Sequence, residues 1–276
     1  MQIHTYFDDN SRVRMVLAGI ALALAALSGC GGSGGKQAAS GAASARQTMV
    51  TPAVRKADPP ARCRSGVVQQ LGNGRVAYAA LVPHRAVAFR APGRRAFASF
   101  GPRNVNGHPT VFGVLARRIR ASCKADWYRV ELPIRPNGAT GWVQAGRLRV
   151  GVVHTRIVVE LSQRRLTLYR DGRPVLRAPA AVGSPATPTP TGRFYVDQRL
   201  IPADPTGPWG PGAIGVSAHS DVLRHWVQGG PIAIHGTNEP FSIGRPASHG
   251  CIRLENGVLE KLFVQTAAGT PVIIEA

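Results

Sequence analysis

Apolar and polar residues alternate in short stretches along most of this chain, the two-residue period of a half-buried β-strand. Within residues 61–150 such stretches recur between turn signals: Arg75–Val82, Ala86–Phe89, Val111–Leu115, Trp127–Leu132, Gly141–Val143 and Leu148–Val153. Trp127-Tyr128-Arg129-Val130-Glu131-Leu132 alternates along a strand, Pro136-Asn137-Gly138 supplies a turn, and Gly141-Trp142-Val143 begins the return. Beyond residue 150, Thr155–Leu161 alternates, and Arg165–Tyr169, Asp171-Gly172 and Pro174–Leu176 predict a hairpin. Ala178–Val182, Phe194–Gln198, Pro231–Ile234 and Pro271–Glu275 complete the predicted strands. One helical period stands out, from about Gly257 to Ala267. Asn256 is placed to cap it, Val258/Leu262 and Leu259/Phe263 form i,i+4 pairs, and Gly269 and Pro271 end it. The pattern predicts a mainly β protein: a small module at 61–150 and a larger β domain at 151–276 with one supporting helix.

Composition narrows this picture. Of 276 residues 44% are apolar, enough for buried cores, while 32 Gly and 22 Pro favour turn-rich β structure over a helix bundle. A long Pro/Gly-rich loop, Pro202 to Gly212, suggests a lid or substrate wall. The longest uncharged apolar run, Val16 to Leu27, is shorter than the roughly 20 residues a spanning helix needs, which excludes a multi-pass membrane protein.

The N-terminus reads as an address. Arg12 and Arg14 precede the apolar run, and Leu27-Ser28-Gly29-Cys30 closes it. A basic stretch, a short apolar stretch and small residues describe a secretory signal, 1–29. The final Cys makes the tetrapeptide resemble a bacterial lipobox, and that resemblance implies cleavage before Cys30, its diacylation and a membrane anchor. Residues 30–60, rich in Gly, Ser and Ala and then Pro, read as a flexible tether. Export implies an oxidising compartment. Cys63 and Cys123 then become a disulfide candidate, closing a loop that stabilises by roughly 4 kcal/mol in the chain-entropy model. Cys251 is left over, a candidate reactive thiol.

Charge is uneven. The net +20 is concentrated in residues 1–150, with 22 basic against 5 acidic residues, while residues 151–276 hold 12 against 9. An exported, basic N-terminal half points to anionic wall polymers or lipid head groups rather than nucleic acid. A solvated Arg-rich surface explains the same numbers.

The chemistry concentrates in Ile234-His235-Gly236-Thr237 and Ser248-His249-Gly250-Cys251-Ile252-Arg253-Leu254. A thiol of ordinary pKa about 8.5 needs a base near neutral pH, and His titrates in the right range. His249 and Cys251, two apart on an extended segment, would share a face, and His235 at a strand end could approach from the side. Gly250 permits a tight turn whose N–H groups converge on an oxyanion. His219, His235, His249 and Cys251 are also zinc-ligand types, but no Cys-x-x-Cys or His-Glu-x-x-His spacing supports a metal, and no cofactor is expected.

Ser-His-Gly-Cys-x-Arg with an upstream His-Gly-Thr resembles the signature of YkuD-type L,D-transpeptidases. The Ile157–Leu168 strand pair, Gly183 and Thr189-Pro190-Thr191-Gly192-Arg193-Phe194 occupy the places expected of that domain, over about 120 residues. The Trp127–Val143 segment similarly resembles bacterial SH3-like modules. The resemblances imply an SH3-like small barrel followed by a YkuD-like β-sandwich or barrel. They imply a Cys251 nucleophile, His235 as its base and His249 as a further catalytic residue, with Ser248, Gly250 and Gly236 shaping the oxyanion and substrate site. Arg253 would hold a substrate carboxylate or lock the loop. The activity implied is 3→3 cross-linking of peptidoglycan stem peptides with release of D-Ala. Carboxypeptidase activity and non-catalytic stem binding remain as alternatives.

Overall fold

A computed structural model describes residues 62–226 and 229–276; the expected signal segment, Cys30 and the tether lie outside them. Among the described residues no helix is long and apolar enough to cross a membrane.

The first half contributes eight strands, β1 (Val68–Gln70), β2 (Ala77–Leu81), β3 (Ala86–Phe89), β4 (Ala96–Phe100), β5 (Val111–Ile119), β6 (Ala125–Glu131), β7 (Thr140–Gln144) and β8 (Arg149–Val153). They form one sheet in the order β4-β3-β7-β6-β5-β2-β8, with β1 paired to β5. The Trp-Tyr-x-Val and Gly-Trp-Val segments are indeed neighbours: Arg129 lies opposite Trp142 and Tyr128 opposite Val143. Alternate residues of these strands, among them Ala80, Phe112, Val114, Val130 and Val143, build a small core. Cys63 and Cys123 are disulfide-bonded. The patterning overlooks β1 and β4. Their residues are mostly exposed, so no apolar alternation marks them.

The second half contributes β9 (Thr155–Glu160), β10 (Arg165–Arg170), β11 (Arg173–Pro179), β12 (Val182–Gly183), β13 (Gly192–Leu200), β14 (Ala213–His219), β15 (Pro231–His235), β16 (Pro246–Ser248), β17 (Ile252–Arg253), α1 (Asn256–Gln265) and β18 (Pro271–Glu275). The main sheet runs β11-β10-β9-β18-β13-β14-β15-β17, and β12 and β16 pair separately. Asp171 and Gly172, at φ 51° and 81°, turn the expected hairpin. Ile157, Leu168, Phe194, Ile214, Ile234, Ile252 and Val272 fill the core, against which Leu259 and Leu262 of α1 pack. Each such side chain, fully buried, contributes about 1.5–3 kcal/mol.

Two expectations need correction, and one further strand carries no pattern to predict it. Ala178–Val182 is not one strand: Ala178 and Pro179 end β11, and Val182 starts β12. β14 escapes the alternation because all but its last residue are buried, as befits a strand covered on both faces. The helix is preceded by Glu255 with no side-chain cap, and Asn256 is its first residue.

The two halves are stitched together. Glu131 pairs with Arg193 (3.1 Å), and Asn104 and Asn106 both donate to Gln198 Oε1 (2.9 and 3.1 Å). Arg135 donates to the carbonyls of Ser220 and Gly229 (2.6 Å each), and Asn137 bonds both backbone groups of His219.

Candidate active site

β15 and β17 run parallel, with Ile234 opposite Ile252 and His235 opposite Arg253. Opposed residues share a face and successive residues alternate. Ile234 and Ile252, fully buried, take the core face, which assigns His235 and Arg253 to the other, and Cys251 directly precedes β17. His235 lies opposite Arg253, two residues beyond Cys251. The backbone N–H of Ala233 is directed at the Cys251 thiol.

His235 is almost wholly buried. Its Nδ1 lies 2.5 Å from the Gly236 carbonyl. A carbonyl only accepts, so Nδ1 carries the proton and Nε2 keeps its lone pair. The Trp209 ring covers the imidazole at 4.6 Å between centroids. Burial pushes the His235 pKa down to about 4, with the Gly236 bond opposing and the Arg253 charge reinforcing. Burial also pushes the Cys251 thiol up, against the pull of the Ala233 N–H and Arg253. At neutral pH both the Cys251 thiol and the His235 imidazole are therefore in their neutral forms at rest.

The segment before Cys251 is held by hydroxyls. Ser248 Oγ accepts from the Gly250 N–H (3.1 Å) and donates to the Cys251 carbonyl (2.5 Å). Thr189 Oγ1 donates to the Gly250 carbonyl (2.9 Å), and Thr187 Oγ1 to that of Ser248 (3.1 Å). Gly250 has φ +111°, and a Cβ there would meet Ile232 at 3.1 Å. This turn interrupts the strand, so simple alternation does not relate His249 to Cys251 as the sequence suggests. They meet instead by lining the same cleft, where the His249 ring lies 5.5 Å from Trp226. The Gly250 N–H, expected to face an oxyanion, is engaged by Ser248, leaving those of His249 and Cys251 as candidate donors.

Arg253, opposite His235 in the register, is not among the residues lining the cleft and pairs with Glu239 (2.5 Å). Gly236 acts through its carbonyl, and a Cβ there would lie 2.3 Å from Asn256 Oδ1. The cleft has a volume of 410 Å³. It is walled by Trp209, Leu223, Trp226 and Ile232, with Asn106 and Gln198 at one side and no carboxylate among its lining. Sequence reading singled out Asn256 only as a cap and missed Trp209, Trp226, Thr187 and Gln198 as site residues; Trp209 had a signal, an aromatic inside the Pro/Gly-rich loop. Among the described residues no three His, Cys, Asp or Glu side chains are grouped to hold a metal ion.

Cys251 thus lines an apolar cleft directly before β17, and the buried His235 ends the neighbouring β15. Residues 154–274 match the YkuD family model, described as the L,D-transpeptidase catalytic domain. Over 118 residues the chain is 37% identical to the putative L,D-transpeptidase YkuD of Bacillus subtilis, covering 43% of this chain and 64% of that protein. The corresponding Bacillus licheniformis protein is 39% identical over 119 residues, with the same two coverages. The solved catalytic domain of an E. faecium L,D-transpeptidase is 27% identical, covering 44% of this chain and 95% of that one with a TM-score of 0.33. The chain thus spans somewhat under two thirds of the length of the Bacillus relatives.

Proposed function

We propose that this chain is a peptidoglycan L,D-transpeptidase acting through a Cys251 acyl-enzyme. The observation that supports the reading is the β15–β17 pairing, which brings the end of β15, with His235, beside the strand that begins directly after Cys251, with Nδ1 of His235 committed to Gly236 and Nε2 free to take a proton. Cys251 attacks the carbonyl of the third stem residue as its proton passes to His235. The C–N bond to D-Ala breaks, the thioester forms, and His235 returns the proton to the departing amine. The side-chain amine of a second stem then attacks the thioester, giving a 3→3 cross-link and restoring the thiol. The N–H groups of His249 and Cys251 hold the oxyanion. His249 and Trp226 wall the donor stem. Residues 61–150 serve as an SH3-like positioning module, Cys30 as a lipid anchor on the outer face of the membrane, and the basic surface as a contact to anionic wall polymers.

The test incubates the protein with a disaccharide-tetrapeptide and reads protein and products by mass spectrometry. A stem adduct on Cys251 lacking D-Ala, with a 3→3 dimer, is the expected result, and Cys251→Ala abolishes both. Adduct followed only by tripeptide would make the enzyme a carboxypeptidase. A folded protein with a free thiol and no adduct would overturn the acyl-enzyme.

A further inference from the structure

A second cavity lies away from Cys251, at the seam between the two halves. It measures 480 Å³, and its lining includes Arg75 and Arg129 from the first half and His154, Arg156, Tyr169 and Arg193 from the second. Two of its basic side chains are matched: His154 sits 2.7 Å from Asp171, and Arg193 sits 3.1 Å from Glu131. Among the described residues Arg75, Arg129 and Arg156 have no carboxylate within ion-pair distance. Arg129 reaches only the Thr140 hydroxyl, at 3.2 and 3.4 Å. Arg156 lies over the Tyr169 ring at 4.8 Å, and its Nε is buried without an acceptor.

We infer that this seam is a binding site for an anionic polymer chain of the cell wall. The inference deepens the wall-polymer contact proposed above and rests on it. Like charges converging on one concavity repel unless something neutralises them, and the protein supplies too few carboxylates to do so. Guanidinium groups present planar forks that match phosphate and carboxylate oxygens. Tyr169 and the arginine stems supply apolar flanks for a sugar or polyol backbone. A concave site with walls from both halves accepts a strand and excludes a flat bilayer. A polymer bound there would bridge the two halves and tether the enzyme to the wall independently of the catalytic cleft.

The test measures binding of the full chain to fluorescent poly(glycerol phosphate) and to a polyglutamate of equal charge, by anisotropy at 50 and 200 mM salt. The variant R75Q/R129Q/R156Q is compared with R94Q/R95Q/R149Q, which removes the same charge from exposed positions outside the cavity. The expected result is salt-sensitive binding, weakened at least tenfold in the first variant and less than twofold in the second, with both releasing D-Ala at the wild-type rate. Preference for one probe names the phosphate or the carboxylate as the recognised group. Equal weakening in both variants overturns the site while leaving a general basic contact. Absence of wild-type binding to either probe overturns the polymer contact as well. Binding by a protein that releases no D-Ala would leave this site standing and remove the enzyme reading instead.

Discussion

Asn256 Oδ1 accepts a hydrogen bond from the backbone N–H of Thr237 at 2.8 Å, tying the first turn of α1 to the loop that leaves His235. Thr237 Oγ1 in turn accepts from the Glu239 N–H (3.0 Å), and Glu239 pairs with Arg253, beside His235 in the register. The chain of contacts thus runs from the helix around the loop and back to the strand that follows Cys251. It holds the Gly236 carbonyl where it fixes the imidazole. Asn256→Ala is expected to lower kcat about tenfold while costing about 1 kcal/mol of stability. Asn256→Asp keeps the acceptor oxygen and should restore most of the rate. Steady-state D-Ala release and thermal melts of both variants separate positioning from simple destabilisation.

The depressed His235 pKa sets an unusual acid limb. Catalysis requires the unprotonated imidazole, so with a pKa of about 4 activity should persist at pH 5 and fall only near pH 4. An ordinary histidine would lose it near pH 6.5. Without substrate, the raised thiol predicts slow alkylation of Cys251 by iodoacetamide at pH 7, accelerating above pH 9. His235→Ala should slow turnover by about 10²–10⁴-fold. A pH–rate profile and time-resolved mass spectrometry of labelling check each.

Asp197 sits half-buried at the bulge between Val196 and Gln198 with its Oδ1 shut away from solvent, and desolvation pushes its pKa up to about 7. A folded pKa above the unfolded value of 3.8 means that its contribution is present below pH 3.8 and is lost as pH rises through 7. His235 works in the opposite sense: its contribution is full above pH 6.5 and is lost as pH falls towards 4. Asp197→Asn isolates the first effect. The stability of this variant relative to wild type should grow between pH 5 and pH 8 by on the order of 2 kcal/mol, read from denaturant melts across that range.

Arg135 bonds the Ser220 and Gly229 carbonyls, bridging the neck of the segment that carries Leu223 and Trp226, and the Ser220 N–H to the Gly230 carbonyl (2.7 Å) closes that neck. The first half of the chain therefore holds one wall of the cleft in the second. Arg135→Ala is expected to raise KM for the tetrapeptide donor three- to tenfold and to leave kcat within twofold, because the Cys251–His235 pair is untouched. An unchanged KM would mean that the segment holds itself.

Much of this protein is written locally. Alternation along Trp127–Leu132 and Thr155–Leu161 specifies strands because a strand with one buried face must alternate, and Asp171-Gly172 specifies a tight turn because both positions need positive φ. The cysteine pairing and the reactive segments are legible for a similar reason: few residue types perform that chemistry, and their spacing is short. Tertiary structure decided the rest. β14 carries no alternation because neighbours cover both its faces. Asn256 reads as a cap until the loop after His235 is seen to need its oxygen. The pKa values of His235 and Cys251, the partner of Arg253 and the seam of arginines depend on burial and on groups up to about a hundred residues apart in sequence. Local pattern cannot carry such distances; only packing brings those charges together or shuts water away from them.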